Sequence, residues 1–333
     1  MAGISEVAKM AGVSPATVSR VMNGTAKVSS EKAERVLKAI NETGFKPNEI
    51  ARSLYKKSSR IIGYIVPNIL NLFLVEIGRA IEDEAFQNGY KVIFCNSDEK
   101  PEKEAAYINM LTCMNADGII ISTSGNNPDE QMRNCPLPVV VLDKCGNNSF
   151  TASVQADNYM GGRLAAEHLI ACGCRHIVQM HGSQEYSNAR RRFHGYSDVC
   201  KEHNIEPLYI ESSYDYSSGI VRSRELLKRF PNVDGILAVS DMVALSLYRV
   251  LHEMGRRVPD DIMIVGYDNL ELSSLMTPSL TTIAQPLEQI GRISAKIIID
   301  MVENNKYEQR EVILPVSLKI RETTKLKDES AII

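Results

Sequence analysis

The chain has 333 residues, 44% of them hydrophobic and 24% charged, with 38 Lys and Arg against 41 Asp and Glu for a net charge of −3. That length exceeds one small domain and the composition is that of an ordinary soluble protein. No apolar run approaches the roughly 18 residues that a membrane-spanning helix needs. The start, "MAGISEVAKM", has Glu6 and Lys9 where a secretory leader would be apolar, so the protein is expected to stay in the cytoplasm, with no membrane partner.

The first predicted helix is "ISEVAKMA", with Ile4, Val7, Ala8 and Ala11 on one stripe. Gly12 can take the left-handed conformation that ends a helix. Ser14 is a good N-cap and Pro15 suits the first helical position, which needs no N–H. Val18, Val21 and Met22 then face inward. Helix, tight turn, helix is the pattern in which a second helix enters the DNA major groove. Ser29 is expected to cap a third helix that buries Ala33, Val36, Leu37 and Ile40 and ends at Gly44, before Pro47. Residues 1–60 carry 11 Lys and Arg against 5 Asp and Glu, a net of +6, which leaves −9 for the rest. A basic head on an acidic body suits a polyanion binder.

These residues carry a resemblance. "ISEVAKMAGVSPATVSRVMNG" followed by "GFKPNEIARSL" resembles the start of the lactose/galactose repressor family of bacterial transcription regulators. The likeness continues to "ILPVSLKIRETT" near the end, and is greatest to carbohydrate-responsive members such as ribose and sucrose repressors. It implies an α/β chain: an N-terminal helix-turn-helix three-helix head plus a two-lobed, periplasmic-binding-protein-like core of doubly wound parallel sheets. The expected divisions are 1–46 for the head, 47–60 for a hinge helix and linker, and 61–333 for an effector-binding and dimerisation core. Within the core, one lobe takes about 61–157 and 286–317, the other about 158–285 and 318–333.

The resemblance also implies how the head meets DNA. Pro15 and Ala16 sit where the family reads base edges, and their small apolar surfaces suit methyl contact or shape. Thr17, Ser19 and Asn23 suit phosphate or sugar contacts, and Arg20 is the residue best able to grip a guanine. Ser29, Asn48 and Ala51 complete the set expected at the operator. "NEIARSL" resembles the family's hinge helix, too short to be stable alone. Paired over DNA, it would let Leu54 wedge between base steps. Two heads in fixed register read a pseudo-palindromic site, so a homodimer on double-stranded operator DNA is expected. The tail "KLKDESAII" is too short and polar for a coiled-coil tetramer.

Beyond residue 60 the rhythm changes to short apolar runs alternating with helical patterns. The runs are "IIGYIVP", "KVIFCN", "GIIIS" and "PVVVLD", then "HIVQMHG", "PLYIES", "GILAVSD" and "IMIVGYD". Amphipathic segments lie between them at Val75–Asn88, Gly161–Ala171, Arg192–His203 and Ser218–Phe230. This alternation predicts parallel sheets covered on both faces, in two successive lobes. The family resemblance adds three crossings between lobes, near Asp157, Gln285 and Ser317.

Ligands of such sheets bind beyond the carboxyl ends of the strands. Those ends carry Asp143, Asp241 and Asp268, with Arg192, Phe73, Tyr214 and Gln285 at the same level. Aromatic faces and forked polar groups suit a small polyhydroxylated ligand. By resemblance, "NARRRFHGY", from Asn188, holds the family's effector arginine at Arg192. "VGYDN" places a hydroxyl-binding carboxylate at Asp268, and Tyr214 falls where a stacking aromatic is common. Bland roles stay open for each: Arg192 on a helix surface, Tyr214 on a lobe surface, and the aspartates as caps. Three departures weigh against plain ribose. Leu74 follows Phe73 where a second ring is usual, Lys144 follows Asp143 in place of Arg, and Ser240 precedes Asp241 in place of Asn. Lys lacks the planar fork of Arg, and Ser offers fewer bonding atoms than Asn. A carbohydrate effector is expected, a monosaccharide, disaccharide or phosphosugar.

The seven cysteines, Cys95, Cys113, Cys135, Cys145, Cys172, Cys174 and Cys200, are expected to be free thiols in a reducing compartment. Cys172-Gly173-Cys174 is too tight for a zinc half-site and reads as a helix-to-strand turn, so no metal and no cofactor is expected. With no nucleophile elbow or phosphate-cradling loop, a sugar-cleft enzyme is the remote alternative. A secreted solute-binding protein conflicts with the basic head. The nearer rival is a global catabolite regulator whose core docks a phosphorylated carrier protein.

Overall fold

The computed structural model describes residues 3–23, 28–45, 58–122, 132, 134–143, 152–304 and 311–326. Chain contacts divide them into two units, Met1–Ser59 and Arg60–Ile333.

In the first unit, α1 (Ile4–Ala11), α2 (Pro15–Asn23) and α3 (Ser30–Thr43) pack around Val7, Ala8, Ala11, Val18, Val36 and Ala39. Gly12 closes α1 at φ 64° and donates to the Ala8 and Lys9 carbonyls. Ser14 Oγ accepts from the Thr17 N–H at 3.2 Å, as an N-cap should. Gly44 ends α3 at φ 61°. Two expectations fail here. Ser29 stands at the N-cap of α3, but its side chain makes no capping bond. Leu37 is 54% exposed; Ala39 takes the inward position instead, because the buried face of α3 lies further round the helix.

The second unit is two α/β lobes. In the first, β1 (Ile61–Val66), β2 (Lys91–Asn96), β3 (Gly118–Ile121), β4 (Val139–Leu142), β5 (Ala152–Ala156) and β11 (Glu311–Leu314) form one sheet. Its order is β2-β1-β3-β4-β5-β11, and every pairing is parallel. Helices α4 (Leu72–Gln87), α5 (Pro101–Cys113) and α11 (Leu287–Asn304) belong to this lobe.

The second sheet repeats the plan. It runs β7 (Leu208–Glu211), β6 (Ile177–His181), β8 (Gly235–Leu237), β9 (Met263–Asp268), β10 (Thr281–Ala284), β12 (Ser317–Lys319). The expected parallel plan holds for five strands, and the edge strand β12 departs from it by pairing antiparallel with β10. The chain passes from β11 to β12 across residues 315–316, and Ser317 already pairs with Ala284 of β10, so it belongs to the second lobe. Helices α6 (Asn158–Ala171), α7 (Ser187–Glu202), α8 (Tyr216–Arg229), α9 (Asp241–Glu253) and the short α10 (Glu271–Leu275) complete this lobe.

Fully buried strands explain both layers. β3, β4, β6 and β9 are buried throughout, so each needs cover on two faces. On the second sheet, Val178 and Met180 point into the α8–α9 layer while Ile177 points into the α6–α7 layer. In each sheet the order of the first five strands is 2-1-3-4-5, which puts a crevice where the order reverses.

Helices α6 and α7 approach backbone to backbone. A methyl group at Gly195 would run into the Tyr159 carbonyl oxygen, and one at Gly162 into that of Arg192. Neither neighbour is a side chain that can swing away. Gly195→Ala is therefore expected to cost about 1–3 kcal/mol, the scale of an overpacked core. Chemical denaturation of the purified chain checks this, and a loss below a few tenths would show that the helices can separate freely.

Candidate ligand cleft and DNA-facing head

Arg192 rises from α7 beneath the carboxyl ends of β8 and β9. Its side chain is 4% exposed. Nη1 donates to the Val239 carbonyl at 2.7 Å and Nη2 to Asn158 Oδ1 at 2.9 Å. The guanidinium lies over the Tyr267 ring, 3.3 Å from its centre. Burial works against its charge, but Tyr267, Tyr214, Asp268 and Asp143 outweigh burial and hold its pKa above the ordinary value. Nε has no protein partner. The role of a surface arginine is thereby excluded.

Asp268 ends β9 at φ 115°, and Gln285 follows β10. Gln285 Nε2 donates to Asp268 Oδ1 at 2.7 Å, while Gln285 Oε1 has no partner. Tyr214 packs its ring against Gly182, where any side chain would collide with it. Its buried hydroxyl also lacks a partner. Asp143 follows β4 in the first lobe at φ 58°. It accepts from Asn158 Nδ2 at 3.3 Å and from Asn188 Nδ2, both on the second lobe. Around Arg192 the fold thus gathers Asp143, Asp268 and Tyr214, and Asn188 and Gln285 join through the two carboxylates.

Other candidates have structural duties. Ser240 caps α9, accepting from the Val243 N–H at 3.2 Å and donating to the Tyr214 carbonyl at 3.4 Å. Phe73 and Leu74 are buried in the apolar cluster of the first lobe, which Leu270 of the second also joins. Asp241 does not end a strand, since β8 stops at Leu237; it begins α9. Lys144, Asn48, Ala51 and Leu54 lie outside the described residues. On the head, Pro15, Ala16 and Arg20 are exposed on α2, as is Ser29 before α3. Thr17 and Ser19 are half-buried, with Thr17 Oγ1 3.0 Å from Ser14 Oγ. Asn23 is the last residue of α2.

Both units match known protein families. The description "Bacterial regulatory proteins, lacI family" fits residues 3–48, and "Periplasmic binding protein-like domain" fits residues 166–324. A ribose operon repressor from Halalkalibacterium halodurans is 39% identical over 325 residues, 98% of each chain. The chain belongs to the lacI family of bacterial transcription regulators. It is a DNA-binding regulator and not an enzyme. Among solved structures, the lac repressor dimer bound to operator and the anti-inducer ONPF matches at TM-score 0.89 and 30% identity, over 97% of this chain and 98% of that one. A LacI family transcriptional regulator from Enterococcus faecium with bound ribose matches at TM-score 0.73 and 31% identity, over 80% and 100%.

Two residues of this lacI-family cleft go unsignalled by sequence reasoning. Asn158 supplies the acceptor for Arg192, and Tyr267 supplies the ring beneath it. Tyr267 stands inside the quoted "VGYDN" and Asn158 directly follows the expected crossing at Asp157. Position alone flags neither side chain as polar-site furniture. Among the described residues, no group of three His, Cys, Asp or Glu could hold a metal ion. The described cysteines are thiols and not disulfides, and Gly173, at φ 90°, makes the turn between Cys172 and Cys174.

Asp241 and Asp268 form a buried carboxylate pair. Asp241 accepts from Thr282 Oγ1 at 2.6 Å and from the Leu270 N–H at 2.8 Å. Burial nevertheless pushes its pKa up to about 7. Asp268 is raised well above the usual range by burial first, then by Asp241. The unfolded carboxyls titrate near 4, so between there and neutrality this pair holds more protons in the folded chain than in the unfolded one. Stability should therefore fall as pH rises through that window. Urea unfolding at pH 5, 6, 7 and 8 tests this: the midpoint should decline in the wild type and decline less in Asp268→Asn. Equal slopes would show that the pair is not the titrating element.

Proposed function

We propose that this chain represses a carbohydrate-utilisation operon, binding a pseudo-palindromic operator as a homodimer and changing its grip when a small neutral sugar enters the cleft. Residues 1–46 form the DNA-reading head and 47–60 the hinge, with Arg20 on a base edge and Leu54 as the wedge. Residues 61–333 form the effector and dimer body. Such a repressor works in the cytoplasm, where its operator is; among the described residues no helix is long and apolar enough to cross a membrane.

The observation that carries the effector reading is a set of buried polar atoms without partners. Arg192 Nε, Tyr214 Oη and Gln285 Oε1 converge on the Asp143–Asp268 region, and each buried polar atom left unpaired costs about 1–3 kcal/mol. A polyol can satisfy donors and acceptors together. The sign of the charge narrows the class. Asp143 already stands by Arg192, and burial already disfavours charge on Asp268, so a phosphosugar would bring about two more negative charges into a space that resists them. A neutral monosaccharide fits better. The ribose operon repressor and the ribose-bound relative support a pentose, and make D-ribose the first probe. Ser240, occupied as a cap, cannot offer what Asn would, so a relative of ribose is the second. A regulator that worked only by docking a carrier protein would have no use for this cleft.

Tyr214→Phe separates ligand binding from packing. It removes one unpartnered hydroxyl and nothing else, so thermal stability without ligand should hold or rise. Affinity for the sugar should fall about 3- to 10-fold, the worth of one hydrogen bond. Thermal shift with D-ribose, other pentoses, hexoses and ribose 5-phosphate identifies the ligand, and isothermal titration gives the affinities. If only the phosphorylated sugar binds, the charge reading fails. If none binds and operator affinity ignores all of them, the carrier-docking reading takes over.

A further inference from the structure

Asn158 opens α6, one residue past the first crossing between the lobes. Its side chain is fully buried and works at both ends. Oδ1 accepts from Arg192 Nη2 at 2.9 Å and from the Tyr267 hydroxyl at 3.4 Å. Nδ2 donates to the Ala156 carbonyl at 3.2 Å and to Asp143 Oδ1 at 3.3 Å. Asp143 stands on the first lobe and Arg192 on the second. One carboxamide therefore touches a charged group of each. Asn188, on α7 with Arg192, donates to the other oxygen of Asp143 and completes the ring of contacts.

We propose that Asn158 is a positioning residue that ties closure of the lobes to the orientation of Arg192. When the lobes part, Asp143 leaves the Nδ2 end. The carboxamide is then free to turn about its last bond, and Arg192 Nη2 loses a fixed acceptor. A ligand meets a preset Arg192 only between closed lobes. No other side chain of this size does both jobs. Asp supplies acceptors only, Leu neither donor nor acceptor, and Ser cannot span the two groups. The inference rests on reading this cleft as the ligand site, but its test needs no ligand.

The test exchanges donor and acceptor. Asn158→Asp keeps the acceptor for Arg192 but sets two carboxylates face to face. Asp143→Asn in the same chain restores a donor between them. The amide introduced at position 143 donates to the carboxylate introduced at position 158, and its oxygen still accepts from Asn188. Only the bond to Ala156 stays lost, and the net charge is unchanged from the wild type. Hydrogen–deuterium exchange of the full chain, read by mass spectrometry, follows segments Val139–Asp143 and Ser187–Arg192. N158D should speed exchange in both segments about tenfold, the scale of one lost charge-assisted hydrogen bond. The double variant should return to within about threefold of the wild type, closer than either single variant. Should N158D not fold, Asn158→Ser serves, with faster exchange in both segments and not elsewhere.

A double variant that exchanges as fast as N158D overturns the proposal. So does N158D exchanging like the wild type, or faster exchange spread through the whole core, which would mark Asn158 as a packing residue only. Failure of D-ribose to bind the wild type would instead count against the pentose reading and leave this exchange pattern standing.

Discussion

A guanidinium shut away from water is the constraint on which the rest of this core depends. A buried charge left alone costs several kcal/mol, so Arg192 can exist only where its surroundings compensate. Here they come from separate pieces of chain: Val239 after β8, Asn158 at the start of α6, Tyr267 and Asp268 at the end of β9, and Asp143 from the other lobe. These pieces must converge within one side chain's reach. The 2-1-3-4-5 strand order brings them together at its crevice, and the glycines set the spacing. Gly162 and Gly195 let α6 and α7 touch, and Gly161 leaves room for the Tyr267 hydroxyl.

That arrangement leaves the site incomplete in a particular way. Four of the five guanidinium N–H groups belong to the two Nη atoms that face protein acceptors, while Nε looks for a partner. The buried carboxylates sort into two roles by their surroundings. Asp241 is satisfied by Thr282 and Leu270 and stiffens the start of α9. Asp268 has one side-chain bond, to Gln285, whose own oxygen is unpaired. Arg192 Nε, Tyr214 Oη and Gln285 Oε1 thus hold unpaired polarity in this cleft, which costs stability and rewards a ligand that pairs with them. The same logic spans the lobes, because Asp143 takes its partners Asn158 and Asn188 from the other lobe.

The parts legible from sequence are those with a local cause. Gly12, Ser14 and Pro15 mark the turn between α1 and α2 without reference to anything distant. Apolar runs give β1, β3, β4, β6 and β9 to within a residue or two. Strands β5 and β10 carry no such run, because Ser153, Gln155, Thr281 and Thr282 interrupt them. Distant partners make these polar residues tolerable: Gln155 bonds Glu311 at 2.9 Å, Thr281 bonds Thr324 at 2.8 Å, and Thr282 bonds Asp241 at 2.6 Å. No window of sequence contains both members of those pairs. The cleft divides in the same way. Arg192, Asp268 and Tyr214 stand out by motif and residue type, whereas Asn158 and Tyr267 matter through contacts with Arg192, about 34 and 75 residues away along the chain. Leu37 shows the opposite failure: a good stripe position by spacing, left in solvent because the neighbouring helices pack further round α3.

The most direct measurement is a crystal structure of the full chain with whichever sugar raises its melting temperature most. An oxygen of the sugar should lie within hydrogen-bond distance of Arg192 Nε, with others on Asp268 and Tyr214. The Arg192 bonds to Val239 and Asn158 and its stacking on Tyr267 should persist in that complex. A sugar bound elsewhere, or an Arg192 that must break those contacts and swing out to meet it, would contradict a guanidinium set in place before the ligand arrives.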